Sequence, residues 1–136
     1  MVEIHIDYEG QLHCRSVHMP SGAEVATDAP VDNEGRGESF SPTDLVATAF
    51  GSCLLTIIGI VARRKGIEVT GAAANVSKIM SDDLPRRIAR LPVSITIPLP
   101  ADHPERAAIE SATLSCPVNE SVRADIDRPV TFVWEG

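Results

Sequence analysis

The chain is poor in the residues that most strongly bias a function. It has three cysteines in 136 residues, too few and too odd in number for a disulfide-dense secreted scaffold. Basic side chains are outnumbered: 12 Lys and Arg face 19 Asp and Glu, for a formal net charge of −7. Grip on a phosphate backbone rests on clustered Lys and Arg, so no nucleic-acid partner is expected. There is no Gly-rich phosphate loop, no His-Glu-x-x-His, no repeat and no low-complexity tract. Residues 1–10 carry Glu3, His5, Asp7 and Glu9, with neither a basic n-region nor an apolar h-region. The expectation is therefore a cytoplasmic protein whose thiols stay reduced.

What is present is ordinary globular composition, 43% hydrophobic and 23% charged, which speaks against wholesale disorder. A chain of this size predicts one domain over 1–136, burying about two-thirds of the surface its unfolded form exposes. Val2, Ile4 and Ile6 alternate with Glu3, His5 and Asp7, the period of a half-buried strand. Further strands are expected over 12–18, 23–27, 67–80, 88–98 and 130–134, and a Pro-, Asp- and Gly-rich surface loop over 28–39. Ser41-Pro42-Thr43-Asp44 is a helix start: Ser41 as N-cap, Pro42 in the first helical position, Asp44 returning the capping contact. That helix is predicted to run to about Lys65, with Gly66 as its C-terminal cap. Shorter helices are expected over 104–114 and 118–124. The order is βββ-α-ββ-αα-β, an α+β fold.

Leu45 to Ala62 holds no charged residue and reaches about 18 residues, the lower edge of a membrane span. Arg63, Arg64 and Lys65 follow it. Thr48, Gly51, Ser52, Thr56 and Gly59 interrupt the run, so a buried core helix is the expected reading and no membrane partner is expected.

The cysteines carry the candidate chemistry. Val46, Phe50, Cys53, Ile57 and Ile60 fall on one helical face, which puts Cys53 on the most apolar stripe. Such a thiol is commonly structural, and burial raises its pKa. For Cys53 to act as a nucleophile, a cation must come from elsewhere in the chain. Cys116 precedes Pro117 and is predicted at a helix N-cap, where free backbone N–H groups favour a thiolate. On local grounds Cys116 is the better nucleophile. Cys14 lies between His13 and His18, but the spacing fits no usual zinc pattern and adjacent strand residues point to opposite faces. Neither a metal nor a cofactor is expected. Arg86, Arg87 and Arg90 read as a solvated basic face, and Ser52 lacks a Ser-His-Asp setting.

The segment Ser41-Pro42-Thr43-Asp44-Leu45-Val46-Ala47-Thr48-Ala49-Phe50-Gly51-Ser52-Cys53, with Ser115-Cys116-Pro117-Val118-Asn119 far downstream, resembles the osmotically inducible protein C / organic hydroperoxide resistance (OsmC/Ohr) family. The resemblance covers nearly the whole chain. It implies an intertwined homodimer with antiparallel sheets around long central helices and two sites at the subunit interface. Protein would then cover Leu45 to Ala62 on all sides, with Gly51 and Gly59 permitting close helix approach. It also implies a thiol peroxidase serving an oxidative or osmotic stress response. Cys53 would attack a hydroperoxide and become a sulfenic acid, Cys116 would resolve it as a disulfide, and a dithiol, such as one of lipoyl type, would restore the pair. The family takes the activating guanidinium from its N-terminal β region; Arg15 is the first candidate and Arg36 the alternative. A Glu near the helix start holds that Arg in family members with peroxidase activity, and Thr43 and Asp44 stand there instead. Asp44 is therefore a candidate for orienting the Arg, or a capping residue alone. The departure leaves a second expectation open, a non-catalytic dimeric protein of the same fold that holds a small lipophilic ligand.

Overall fold

A computed structural model describes residues 1–136. The chain forms two compact units, Met1–Val46 and Ala47–Gly136. The first is an antiparallel sheet of β1 (Ile4–Tyr8), β2 (His13–His18) and β3 (Glu24–Asp28), with β2 in the centre. Register pairs Tyr8 with Cys14 and Cys14 with Thr27, and Asp7 with Arg15 and Arg15 with Ala26. Cys14 and Arg15 therefore face opposite sides. The alternation in β1 does define two faces, but the strand is exposed along its whole length rather than half-buried. Ile4, Ile6 and Tyr8 form an apolar row open to solvent. A 3-10 turn, Val31–Asn33, sits in the expected loop.

Helix α1 runs Pro42–Arg64. Its start is a reciprocal capping box: the Asp44 N–H donates to Ser41 Oγ at 3.1 Å, and the Ser41 N–H donates to Asp44 Oδ2 at 2.9 Å. Both ends of the predicted contact are thus made. At the other end Gly66 adopts φ +67, the left-handed conformation that a side chain resists. There the Ile67 N–H reaches the Ala62 carbonyl at 2.9 Å.

The second unit holds β4 (Ala73–Val76), β5 (Ile79–Met80), β6 (Ile88–Arg90), β7 (Val93–Ile97), α2 (Arg106–Thr113), α3 (Pro117–Ser121) and β8 (Val130–Trp134). Its main sheet has the order β4-β7-β8; β4 pairs with β7 antiparallel, and β8 joins β7 parallel. The expected antiparallel pairing thus prevails in the chain, and the β7–β8 pair is the parallel one. The segment read as one strand over 67–80 is two, and 88–98 divides at Leu91 and Pro92; Pro92 has no N–H to give a ladder. The second short helix stops at Ser121, earlier than expected. Val93, Ile95 and Ile97 of β7 point to one side and are buried. They meet Leu91, Ile109 and the α1 stripe of Ala47, Phe50, Leu54 and Ile58.

That stripe differs from the predicted one. Phe50 belongs to both, but Val46, Cys53 and Ile57 are only partly buried and Ile60 is exposed. Residues 47, 50, 51, 54, 58 and 62 are the buried ones. Because every residue of this run is apolar or small, hydropathy marks the helix without marking its inner face. Gly51 is what brings α1 onto the sheet, since a Cβ there would stand 2.8 Å from Val76 Cγ2. A Cβ on Gly59 would meet nothing within 4 Å. The helix is long and apolar enough to cross a membrane, and 33% of its most apolar window is buried within the chain.

Candidate active site

Two of the predicted residues come together. Cys53 lies midway along α1 and Cys116 at the N-cap of α3; Cys116 is part of the core, Cys53 packs against that core, and the two thiols are close enough to interact. Both are free thiols, Cys53 partly accessible and Cys116 buried. A core made of α1, β7 and α2 brings them together, although they are far apart in sequence.

The N-cap geometry at Cys116 is as predicted. Pro117 opens the helix, and the Asn119 N–H donates to Cys116 Sγ at 3.2 Å. Its electrostatic consequence is reversed. Burial pushes the Cys116 thiol up, the Asn119 N–H pulls it partly back, and the hydrogen bond and charge of Cys53 add to the rise. The N–H groups of Asn119 and Val118, at the start of a five-residue helix, do not offset the loss of water around a thiolate. Cys116 is therefore harder to ionise than an ordinary cysteine, the reverse of what its sequence position implied. Of this pair, the partly open Cys53 is the one that offers an approach to a reagent from solution.

The remaining candidates have partners in their own unit. Arg15 donates to Glu24 Oε1 and lies 3.8 Å from Asp7 and 3.7 Å from Glu9. The hydrogen bond and charge of Glu24 hold the guanidinium still more firmly protonated. Arg36 donates to Gln11. Asp44 caps α1, as above. His13 Nδ1 lies 2.6 Å from Asp28 Oδ1, and His18 Nδ1 lies 2.6 Å from Ser21 Oγ. In the basic cluster Arg87 pairs with Asp83 and Arg90 with Asp127.

Beside the thiols the structure adds two residues that sequence reading did not single out as functional. The Asn119 side chain donates from Nδ2 to the Leu114 carbonyl at 3.0 Å and accepts from Arg128 Nε at 2.7 Å. Asn119 was visible as the third residue after a Cys N-cap; nothing in the local sequence marks Arg128. A cleft of about 580 Å³ adjoins them, lined by Phe50, Leu54, Leu114, Asn119, Arg128 and Val130 among others.

The OsmC-like protein family model matches residues 35–128. Among solved structures, a Psychrobacter arcticus 273-4 protein, provisionally described as an osmotic stress induced and detoxification response protein, is 42% identical. That match covers 97% of this chain and 96% of that one, with a TM-score of 0.91. An organic hydroperoxide resistance protein OsmC from Legionella pneumophila is 15% identical, with 98% and 96% covered and a TM-score of 0.75. A Mycoplasma pneumoniae OsmC-like protein is 14% identical, with 100% and 98% covered and a TM-score of 0.79. The last two likenesses show the fold alone. No curated protein matches the chain.

Proposed function

Because the chain belongs to the OsmC-like protein family, we propose that it is a cytoplasmic thiol peroxidase that reduces hydroperoxides, organic ones preferred. The observation that carries this reading is the contact between a partly open thiol, Cys53, and a buried one, Cys116. The Cys53 thiolate attacks the terminal oxygen of the hydroperoxide. An S–O bond forms and the O–O bond breaks; sulfur is oxidised to sulfenic acid, and the alkoxide takes up a proton and leaves as the alcohol. The Cys116 thiolate then attacks the Cys53 sulfur. An S–S bond forms, the S–O bond breaks, and hydroxide leaves as water. An external dithiol, lipoyl in type, reduces the disulfide by two exchanges.

The Cys53 thiolate needs a cation. Arg15 takes that role in this reading and Arg36 is the alternative; Arg15 would give up part of its present carboxylate pairing. The functional unit is a homodimer, which supplies cover for the outer face of α1 and for the apolar row on β1. Purified protein is expected to consume cumene hydroperoxide in the presence of a dithiol, and Cys53→Ser to abolish turnover. Equally slow wild-type and Cys53→Ser proteins would end this reading. A second reading, a non-catalytic dimer binding a small lipophilic ligand, is supported by the cleft floored by Phe50, Leu54 and Val130. Native mass spectrometry showing a co-purified ligand, together with thiols inert to peroxide, would select it.

A further inference from the structure

Arg128 is a half-buried cation whose hydrogen-bond partners are all neutral. Its Nε donates to Asn119 Oδ1 at 2.7 Å, and one terminal nitrogen donates to the carbonyls of Arg123 and Ile126 at 2.7 and 3.1 Å. No carboxylate shares it, although the neighbouring Arg123 and Arg90 are paired with Asp125 and Asp127. Its charge is thus directed at one side-chain amide. That amide is also held from its other end, by the Leu114 carbonyl. A side chain gripped at both ends loses its rotamer freedom, and its backbone is fixed with it. The backbone N–H of the same residue is the donor on Cys116 Sγ.

We propose that Arg128 is a positioning residue for the Cys116 thiol, acting through Asn119. It fixes the amide so that the Asn119 N–H stays aimed at the sulfur, in the way outer partners orient the inner ligands of a metal site. Arg suits this task because its planar fork holds an amide oxygen and two carbonyls at once. Without Arg128 the turn loosens, the donor is lost for part of the time, and burial keeps the thiol protonated to higher pH. The Cys53 side chain is titratable and acts on Cys116, so the experiment removes it.

In Cys14→Ser/Cys53→Ser protein, Cys116 is the sole thiol. Its titration is followed by ultraviolet thiolate absorbance in three forms: with Arg128 intact, with Arg128→Met and with Arg128→Lys. The expected result is a midpoint higher by about one pH unit in Arg128→Met, the loss of one useful hydrogen bond to the charged form. Arg128→Lys, which keeps one donor for Asn119, should recover part of the shift. Equal midpoints in folded Arg128→Lys and parent protein, or in folded Arg128→Met and parent, overturn the proposal. If Arg128→Met fails to fold, the Lys variant decides, with an Asn119→Leu variant expected to match or exceed its shift.

The resolving role that this positioning serves rests on the peroxidase reading, and the titration does not. Peroxide turnover by wild-type protein without a midpoint shift removes the positioning role alone. A shift without any turnover removes the peroxidase reading and leaves the positioning intact.

Discussion

The Asn119 N–H donates to the Cys116 sulfur at 3.2 Å, and the thiol is nevertheless harder to ionise than an ordinary cysteine. Loss of water outweighs the hydrogen bond. For the peroxidase reading this separates two tasks: Cys53 meets the reagent, and Cys116 is kept back for an attack on a sulfur already beside it.

This ordering has a pH signature. Cys116 is raised, so its thiolate fraction is small at neutral pH and grows only above the ordinary thiol range of about 8.5. In single-turnover experiments the disulfide-forming step should accelerate with pH well past that point. A step that levels off below it would show that the buried thiol is already ionised.

Removing the second thiol should split the cycle. Cys116→Ser is expected to consume about one equivalent of hydroperoxide per Cys53 and then stop, leaving a sulfenic acid that a dione probe labels and mass spectrometry locates. Cys14→Ser should leave both rate and stoichiometry unchanged, because on β2 Cys14 faces the side opposite Arg15. Labelling at Cys14 rather than Cys53 would reverse the assignment.

Loss of the capping box should cost stability. Ser41→Ala is expected to lower the unfolding free energy by about 1 kcal/mol, read from the denaturation midpoint. Asp44→Ala should show a comparable loss. If Asp44 is a cap alone, its peroxide turnover per folded molecule stays at the wild-type value; a drop of about tenfold or more would assign it a part in holding the activating Arg.

The two α1 glycines should respond with opposite signs. Gly51→Ala places a methyl group against Val76 and is expected to destabilise by about 1–3 kcal/mol. Gly59→Ala meets nothing within the chain and gains helix propensity, up to about 1 kcal/mol. If Gly59→Ala instead lowers stability and does so in proportion to dilution, measured by sedimentation and thermal melts, Gly59 lies in a subunit interface.

Local chemistry was legible in the sequence wherever neighbours in the chain decide it. Ser41 and Asp44 are three apart and make both predicted bonds. Cys116 before Pro117 becomes an N-cap, Gly66 takes the left-handed turn, and β8 falls on 130–134 as expected. The same local view misjudged whatever depends on distant packing. It put Cys53 on the inner face of α1, because in a helix apolar on nearly every side the inner face is chosen by what packs against it. It read one strand where Pro92 separates two, and it did not foresee β8 lying parallel to β7.

By itself the amino-acid sequence determined the elements, their caps, the apolar central helix and the pair of cysteines with family precedent. Capping and period are interactions between residues a few positions apart, so they survive reading in one dimension. Only the tertiary structure decided that Cys53 and Cys116 meet, that burial makes Cys116 the reluctant thiol, and that Arg128 holds the Asn119 beside it. Those outcomes depend on desolvation and on contacts closed over long stretches of chain, and neither quantity exists until the core of the second unit has packed.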